Sequence, residues 1–278
     1  MNGVIAINKK ENMTSFDVVR QIQRKLGVKA GHSGTLDPNA TGVLVVAINR
    51  ATKALRFLEI EDKVYTATVK LGVKTDTGDI WGNELELHHN IPILDYEQVS
   101  DVLKQFVGKQ TQRVPMVSAK KVDGKKLYEY YRENIEIKTR YTEIEIFKIE
   151  LNYCRGDEIN FTAHVSSGTY MRTICEDIAV ALNTVGTMST LNRDAVGSFT
   201  VKQALELDEV NEDIELISVK DIIPLPKISD PTLEFKIKNG HRISLDTKYD
   251  RILLDSGEFF AVYDREKENT FKSVRGLW

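Results

Sequence analysis

The segment GHSGTLDPNATG, residues 31–42, combines a carboxylate with three glycines and a proline. Glycine permits positive φ angles and close approach of another backbone, and Pro38 favours an extended conformation at Asp37. Such a loop can present the Asp37 carboxylate out of a turn. On the local pattern alone, the plainer interpretation is a turn signal without chemistry. The segment lacks the Gly-x-x-x-x-Gly-Lys-[Ser/Thr] pattern of a phosphate-binding loop.

Other residues that commonly carry chemistry form no recognisable site. The two cysteines, Cys154 and Cys175, have no CxxC or metal-ligand spacing, which favours free thiols in a reducing cytosol. Four further histidines form no ligand constellation in the sequence: His88, His89, His164 and His241. No dinucleotide fingerprint is present either. The sequence therefore offers neither a metal-ligand pattern nor a dinucleotide-binding pattern.

The net charge is only −3, but the charges are segregated along the chain. Residues 9–32 contain six Lys/Arg against two acids, and residues 109–132 contain seven against two. Residues 206–215 contain six acids and no basic residue. This distribution would let one face meet phosphates while the opposite side keeps the protein soluble. Solvated helix faces explain either basic segment equally well.

Hydrophobic patterning predicts the elements around residues 31–42. Residues 4–7 form a short buried strand, and a helix begins at Thr14 with Asp17 in capping-box position and ends at Gly27. A glycine-rich turn then leads into an apolar strand at residues 43–48. Alternation at residues 64–71 indicates a half-buried strand with Tyr65 on its buried face.

The remaining pattern predicts an α+β protein. We expect a helix at residues 99–107 and strands at 144–151 and 159–165. A second helix follows from about residue 169 and ends near Asn183 or Gly186. Short β-like runs after residue 230 predict a small all-β appendage. Irregular alternation of strands and helices favours a mixed, largely antiparallel sheet flanked by helices. Without a signal peptide or a membrane-spanning run, the chain is expected to be soluble and cytoplasmic.

The run GHSGTLDPNATGVL closely resembles the catalytic motif of the TruB family of bacterial tRNA pseudouridine synthases. Four more stretches match the family in the same order: NGVIAINK, DKVYTATVKLGVKTDTGD, VPMVSAKKVDGKKLYEYYREN and SSGTYMRTICEDI. The resemblance covers residues 2 to about 197. It implies the pseudouridine synthase fold, a tRNA T stem-loop as substrate, and isomerisation of the T-loop uridine at tRNA position 55 without a cofactor.

The resemblance implies that Asp37 is the catalytic carboxylate. It would attack C6 of the uracil or C1′ of the ribose, or remove a sugar proton, before the base rejoins through C5. Arg172 matches the family's arginine, whose planar guanidinium suits bidentate pairing with Asp37. Tyr65 matches the tyrosine that stacks on the uracil and can handle the C5 proton. Without the family, Arg172 is a polar residue at a helix start and Tyr65 a core-facing aromatic.

Five further residues match the family at the substrate. Tyr170 is implied as a second pocket tyrosine, and His32 as the residue that fills the space of a flipped-out base. Asp76 would shape the RNA-facing surface, and Leu191 would pack under the site. Lys9 matches a motif lysine, although Lys10 and Asn12 stand where the family usually has proline and glycine.

Residues 109–134 resemble an insertion that grips RNA and orders on binding. Lys120, Lys121, Lys125, Lys126 and Arg132 would contact phosphates, with Tyr128, Tyr130 and Tyr131 as stacking groups. We expect a catalytic domain at residues 1–225 that contains this insertion. A short PUA-like β domain would occupy residues 230–278. The resemblance implies tRNA as the partner. We expect no membrane association and a monomeric protein.

Three other functions compete with this interpretation. A relative that modifies ribosomal RNA with a guide complex is disfavoured because the chain has no long basic tail. A non-catalytic tRNA-folding protein would not need Asp37, Tyr65 and Arg172 together. A hydrolase that uses Asp37 to cut a nucleoside bond would require a positioned water and would release free uracil.

Overall fold

A computed structural model of the protein describes residues 1–58 and 62–278. The strands, in chain order, are β1 (Gly3–Lys9), β2 (Ala30–Ser33), β3 (Thr41–Ile48), β4 (Lys63–Leu71), β5 (Val73–Thr75), β6 (Glu84–Leu87), β7 (Gly108–Arg113), β8 (Lys121–Val122), β9 (Lys125–Lys126), β10 (Tyr141–Arg155), β11 (Glu158–Val165), β12 (Gly186–Val196), β13 (Phe199–Thr200), β14 (Lys227–Ser229), β15 (Ile243–Ser244), β16 (Arg251–Asp255), β17 (Phe260–Lys267) and β18 (Thr270–Gly276).

The α-helices are α1 (Ser15–Leu26), α2 (Leu55–Leu58), α3 (Tyr96–Lys104), α4 (Leu127–Arg132), α5 (Met171–Ala181), α6 (Val219–Ile222) and α7 (Glu234–Lys238). The described chain forms two compact units. The first contains residues 1–38, 43–61 and 198–278, and the second contains residues 39–42 and 62–197. The catalytic-domain boundary expected near residue 225 stays a prediction.

The first unit packs α1 against β1, β2 and β3. Thr14 and Asp17 form the expected capping box, and Gly27 ends the helix in the left-handed conformation. Val18, Val19 and Ile22 on α1 are buried together with apolar residues of β1 and β3. Residues 31–33, expected in a turn, instead pair with β3 as strand β2, so the turn is confined to the residues that follow.

The carboxyl-terminal part of the first unit is a five-stranded sheet in the order β14-β16-β17-β18-β15. Its core includes Phe259, Tyr263 and Phe271. The expected small β appendage is therefore present. It also contains the short helix α7, whose Ile237 is buried in the same core.

The second unit is built on antiparallel neighbours in the order β12-β4-β11-β10-β7. Thr41 and Gly42, at the start of β3, pair in parallel with Asn192 and Arg193 of β12, so the sheet is mixed. Helix α5 packs on β12 and β4, and α3 packs on β10. The expected α+β class with a largely antiparallel mixed sheet is confirmed. The helix expected at residues 99–107 is present as α3, but its expected end is wrong, because α3 ends at Lys104.

Asn12 keeps the turn after β1 in a conformation that glycine would also adopt. Its φ angle is 61°, in the left-handed region. Asparagine tolerates this region better than other non-glycine residues. Asn12 therefore occupies a left-handed position without being glycine.

We expect Asn12→Gly to leave the thermal unfolding midpoint unchanged or raised, and Asn12→Val to lower unfolding free energy by about 1–2 kcal/mol. The control is Glu11→Val, at a neighbouring exposed position whose φ is not positive. Thermal and denaturant unfolding of the three variants measures the difference. Equal stability of Asn12→Val and Glu11→Val would contradict the left-handed turn.

Candidate functional site

Asp37 lies in the loop between β2 and β3, and both of its chain neighbours are anchored. The Ser15 hydroxyl accepts a hydrogen bond from the Leu36 amide at 2.9 Å and donates to the Leu36 carbonyl at 3.1 Å. On the other side, the Pro38 carbonyl accepts from Lys9 Nζ at 3.0 Å. Leu36 is buried, whereas Asp37 is only half-buried. The loop thus holds its backbone inside and leaves the carboxylate partly accessible.

Lys9 is the buried cation that carries much of this anchoring. Its side chain, at the end of β1, is 1% exposed. Nζ donates to the carbonyls of Lys10 at 2.9 Å and Met13 at 2.8 Å, in addition to Pro38. A buried ammonium needs such acceptors because desolvation is costly. Lys9 therefore acts on the Asp37 loop through its backbone.

Of two more residues in this region, one was predicted from the sequence and the other was not. His32, predicted from the family match, lies on β2 opposite Val46 and is half-buried. Ser15 was not predicted, because a serine directly after a helix cap carries no distinctive signal in the sequence. Its role depends on the tertiary approach of Leu36.

Arg172 in the second unit is a buried guanidinium that spans two loops. It is the second residue of α5. Nη1 donates to the Thr77 carbonyl at 2.8 Å, and Nη2 donates to the Val117 carbonyl at 2.7 Å. Asp79 Oδ2 lies 3.9 Å from Nη1. The expected pairing of Arg172 with Asp37 stays a prediction.

Tyr170, the residue before α5, is held through its backbone. Its amide donates to Gln112 Oε1 at 2.8 Å, and Gln112 Nε2 donates to its carbonyl at 3.0 Å. Gln112 is buried on β7. This reciprocal pair was not predicted, because the two residues are 58 positions apart.

Tyr65 and Leu191 lie on adjacent strands of the second unit. Tyr65 is buried on β4 and pairs with Ala163 of β11 and Arg193 of β12. Leu191 is half-buried on β12, opposite Ala67 of β4. Tyr65 therefore has the core-facing position that alternation predicted, and its role at a substrate stays a prediction.

Asp76 links the loop after β5 to the insertion. Its carboxylate accepts from the Asn83 amide and side chain, both at 2.8 Å, and from Tyr131 Oη at 2.5 Å. Partial burial acts to raise the pKa of Asp76, but the hydrogen bonds from Tyr131 and Asn83 outweigh it and hold the pKa below its usual value. Asp76 therefore fastens α4 to this loop.

Two acidic residues of α5, Glu176 and Asp177, both interact electrostatically with Arg113. Glu176 pairs with Arg113 of β7. Burial raises the pKa of Glu176 although Arg113 opposes it, and burial together with the charge of Glu176 raises the pKa of Asp177. Arg113, whose charge acts to lower the pKa of both carboxyl groups, thus lies with them in the second unit.

The insertion forms the hairpin β8–β9 followed by α4. Lys125 lies over the Tyr130 ring at 4.9 Å, and both Lys126 and Arg132 lie over Tyr128, at 5.4 and 5.2 Å. Lys125 also pairs with Glu133. Lys121 and Arg132 are exposed, and Lys120 is half-buried. The predicted basic and aromatic residues are thus interleaved in one small structure.

The acidic segment at residues 206–215 contacts the basic segment at residues 9–32 and does not lie on an opposite side from it. Glu206, the first residue of the acidic segment, lies 3.4 Å from Lys10. Lys25 Nζ donates to the carbonyls of Leu207 and Asp208. The acidic segment packs here because its apolar residues join the core of the first unit. The Glu206 carboxylate therefore offsets the charge of Lys10 in the amino-terminal basic segment.

Within residues 1–58 and 62–278, no group of His, Cys, Asp and Glu has the arrangement of a metal site. In the same residues, no helix has the length and apolar character needed to cross a membrane.

Comparisons with known proteins identify the family. The model described as "TruB family pseudouridylate synthase (N terminal domain)" matches residues 20–171. The tRNA pseudouridine synthase B of Mesoplasma florum is 37% identical over 281 residues, which cover 99% of this chain and 98% of the relative. That of Caldicellulosiruptor saccharolyticus is 40% identical over 245 residues, 88% and 84% of the two chains.

Solved structures of low sequence identity share the fold. A Cbf5-Nop10-Gar1 complex matches with a TM-score of 0.77 at 22% identity, covering 99% of this chain and 85% of that chain. An H/ACA RNP bound to a substrate RNA matches with a TM-score of 0.74 at 21% identity, with the same coverage. The expected pseudouridine synthase fold is confirmed. From the match over residues 20–171 and the full-length relatives, the chain belongs to the TruB family of pseudouridylate synthases.

Proposed function

We propose that this protein isomerises one uridine of the tRNA T loop, at tRNA position 55, to pseudouridine, with Asp37 as its catalytic carboxylate. The observation that carries the proposal is the anchoring of Leu36 and Pro38 on either side of a half-exposed Asp37. A fixed loop lowers the cost of bringing a carboxylate to a reacting atom. The tRNA substrate is supported by the names of the relatives, tRNA pseudouridine synthase B.

The reaction needs one carboxylate and no redox partner. Asp37 acts on C6 of the uracil or C1′ of the ribose, or removes a sugar proton, and the N1–C1′ bond breaks. The base turns, the C5–C1′ bond forms, and the C5 proton departs while N1 gains a proton. Tyr65 is proposed to stack on the uracil, and its hydroxyl to handle the C5 proton by passing its own proton on as it takes up the one from C5. Arg172, fixed by two carbonyls, is proposed to stabilise the ionised carboxylate.

The remaining residues are proposed to bind the RNA. The target uridine lies inside a folded loop, so it must be flipped out at a cost of a few kcal/mol. His32 fills the vacated space, and Tyr170 and Leu191 shape the pocket. The insertion at residues 109–134 contacts phosphates through Lys120, Lys121, Lys125, Lys126 and Arg132. The sheet at residues 230–278 serves as a short PUA-like domain.

The decisive experiment incubates the purified protein with an unmodified tRNA transcript and maps pseudouridine. We expect modification at one T-loop uridine without a cofactor, a guide RNA or a partner protein. The isosteric variant Asp37→Asn should give no product above background, because the amide has no negative charge. Product from this variant would refute the role of Asp37. Tight binding without product from the wild type would favour a folding protein, and free uracil would favour a hydrolase.

The proposed phosphate contacts predict a steep salt dependence of RNA binding. Replacing the exposed Lys121 by alanine should reduce the slope of log affinity against log salt by about 0.7–0.9. The control is Lys148→Ala, an exposed lysine on β10 that pairs with Glu150. Fluorescence anisotropy at several salt concentrations measures both slopes. A flat response of the wild type would contradict phosphate binding by the insertion.

The carbonyl contacts of Lys9 predict a positioning role that a neutral side chain cannot replace. Lys9→Met removes the ammonium that donates to the carbonyls of Lys10, Met13 and Pro38. Because the loop that carries Asp37 would then be less well fixed, we expect kcat to fall more than KM rises. Unsatisfied buried acceptors cost about 1–3 kcal/mol each, so stability should also fall. The matched control is Lys10→Met, whose exposed ammonium contributes little. Equal kcat values for the two variants would contradict the role of Lys9.

A further inference from the structure

The turn after Asp79 presents two large apolar side chains to solvent. The Gly82 amide donates to the Asp79 carbonyl at 3.2 Å and closes a β-turn with Ile80 and Trp81 at its corners. Ile80 is 39% exposed and Trp81 is 54% exposed. Turn corners favour glycine, proline, asparagine, aspartate and serine. Neither turn geometry nor burial in the core accounts for a tryptophan here.

The backbone that carries Trp81 is fixed by several contacts. Asp79 Oδ1 accepts from Thr77 Oγ1 at 2.9 Å and from the Trp81 amide at 3.2 Å. The Ile80 amide donates to the Met188 carbonyl at 2.9 Å. A Cβ at Gly82 would lie 2.2 Å from Thr77 Oγ1. The indole is therefore presented by an ordered turn, which lowers the entropic cost of using it in binding.

The same turn contacts two parts of the proposed RNA-modifying machinery. The Thr77 carbonyl accepts from Arg172, and the Asp79 carboxylate lies 3.9 Å from the same guanidinium. Asp76, at the other end of the loop, accepts from Tyr131 of the insertion. Trp81 thus follows Asp79, the neighbour of Arg172, by two residues. Its loop also contacts the insertion that is proposed to bind RNA.

We propose that Trp81 stacks on a nucleobase of the substrate RNA other than the uracil that is isomerised. Exposed aromatic rings on ordered loops are a common means of binding unpaired bases. Glu84 and Glu86 follow Trp81 on β6, and their negative charge favours the uncharged face of a base over a phosphate. The inference rests on the proposed function, because it requires an RNA substrate.

The variants Trp81→Ala, Trp81→Leu and Trp81→Phe test stacking with a hairpin RNA that contains the T stem and loop. Loss of one base–aromatic stack should weaken binding by between about fivefold and about a hundredfold. We expect this loss for alanine and leucine and much less of it for phenylalanine. Ile93→Ala, at a 96% exposed apolar residue, is the control and should bind as the wild type.

Two signatures separate stacking from phosphate binding and from loss of structure. Trp81→Ala should leave the salt slope of binding unchanged, because no counterion is released at a base face. The protein contains two tryptophans, so Trp278→Phe leaves Trp81 as the single indole fluorophore. Its emission should be quenched when the hairpin RNA is added. Melting curves should give the same midpoint for the Trp81 variants as for the wild type.

The controls keep this inference separate from the proposed function. If the wild type forms pseudouridine and Trp81→Ala binds RNA with wild-type affinity, stacking is refuted and the proposed function stands. Unquenched Trp81 emission at saturating RNA would refute stacking in the same way. If Trp81→Leu binds the hairpin RNA as tightly as Trp81→Phe, stacking is also refuted, because an aliphatic side chain cannot stack on a base. If the wild type neither binds the hairpin RNA nor forms pseudouridine in the tRNA transcript, the proposed function falls and the inference falls with it.

Discussion

The Asp37 loop depends on one buried ammonium group. Lys9 is almost completely removed from solvent, so its charge must be met by acceptors. The carbonyls of Lys10, Met13 and Pro38 supply them, which joins the end of β1, the following turn and the loop that carries Asp37. The left-handed conformation of Asn12 shapes that turn. A single cation thereby fixes the backbone beside the proposed catalytic carboxylate.

In the second unit too, buried polar side chains bind backbone groups near the candidate residues. Arg172 binds the carbonyls of Thr77 and Val117, and Gln112 binds the backbone of Tyr170 at both its amide and its carbonyl. In each case a buried polar side chain satisfies loop groups that strands and helices leave unpaired. The loops are ordered by these contacts and leave other side chains available for chemistry. This explains how irregular segments can present groups with defined positions.

Local signals predicted the regular elements well, because their causes lie within a few residues. Alternation along β4 and the capping box at Thr14 are of this kind. Family motifs gave Asp37 and Arg172, which no local pattern singles out. Contacts between distant segments could not be predicted. The pairing of Gln112 with Tyr170 depends on the approach of β7 to α5. The placement of Asp79 near Arg172 depends on how the loop after β5 packs against α5. Strand β2 was missed because its pairing with β3 overrides a glycine-rich turn signal.

The central claim is that a carboxylate held by a fixed loop meets a nucleotide turned out of its own loop. The most direct test is a crystal structure of Asp37→Asn bound to a T stem-loop RNA, because this variant retains the shape of the side chain and traps unconverted substrate. The account predicts one extruded uridine with its C1′ or C6 in contact with side chain 37, and Lys9 still bound to Pro38. A uridine stacked within its loop, or a residue 37 remote from every nucleotide, would contradict it.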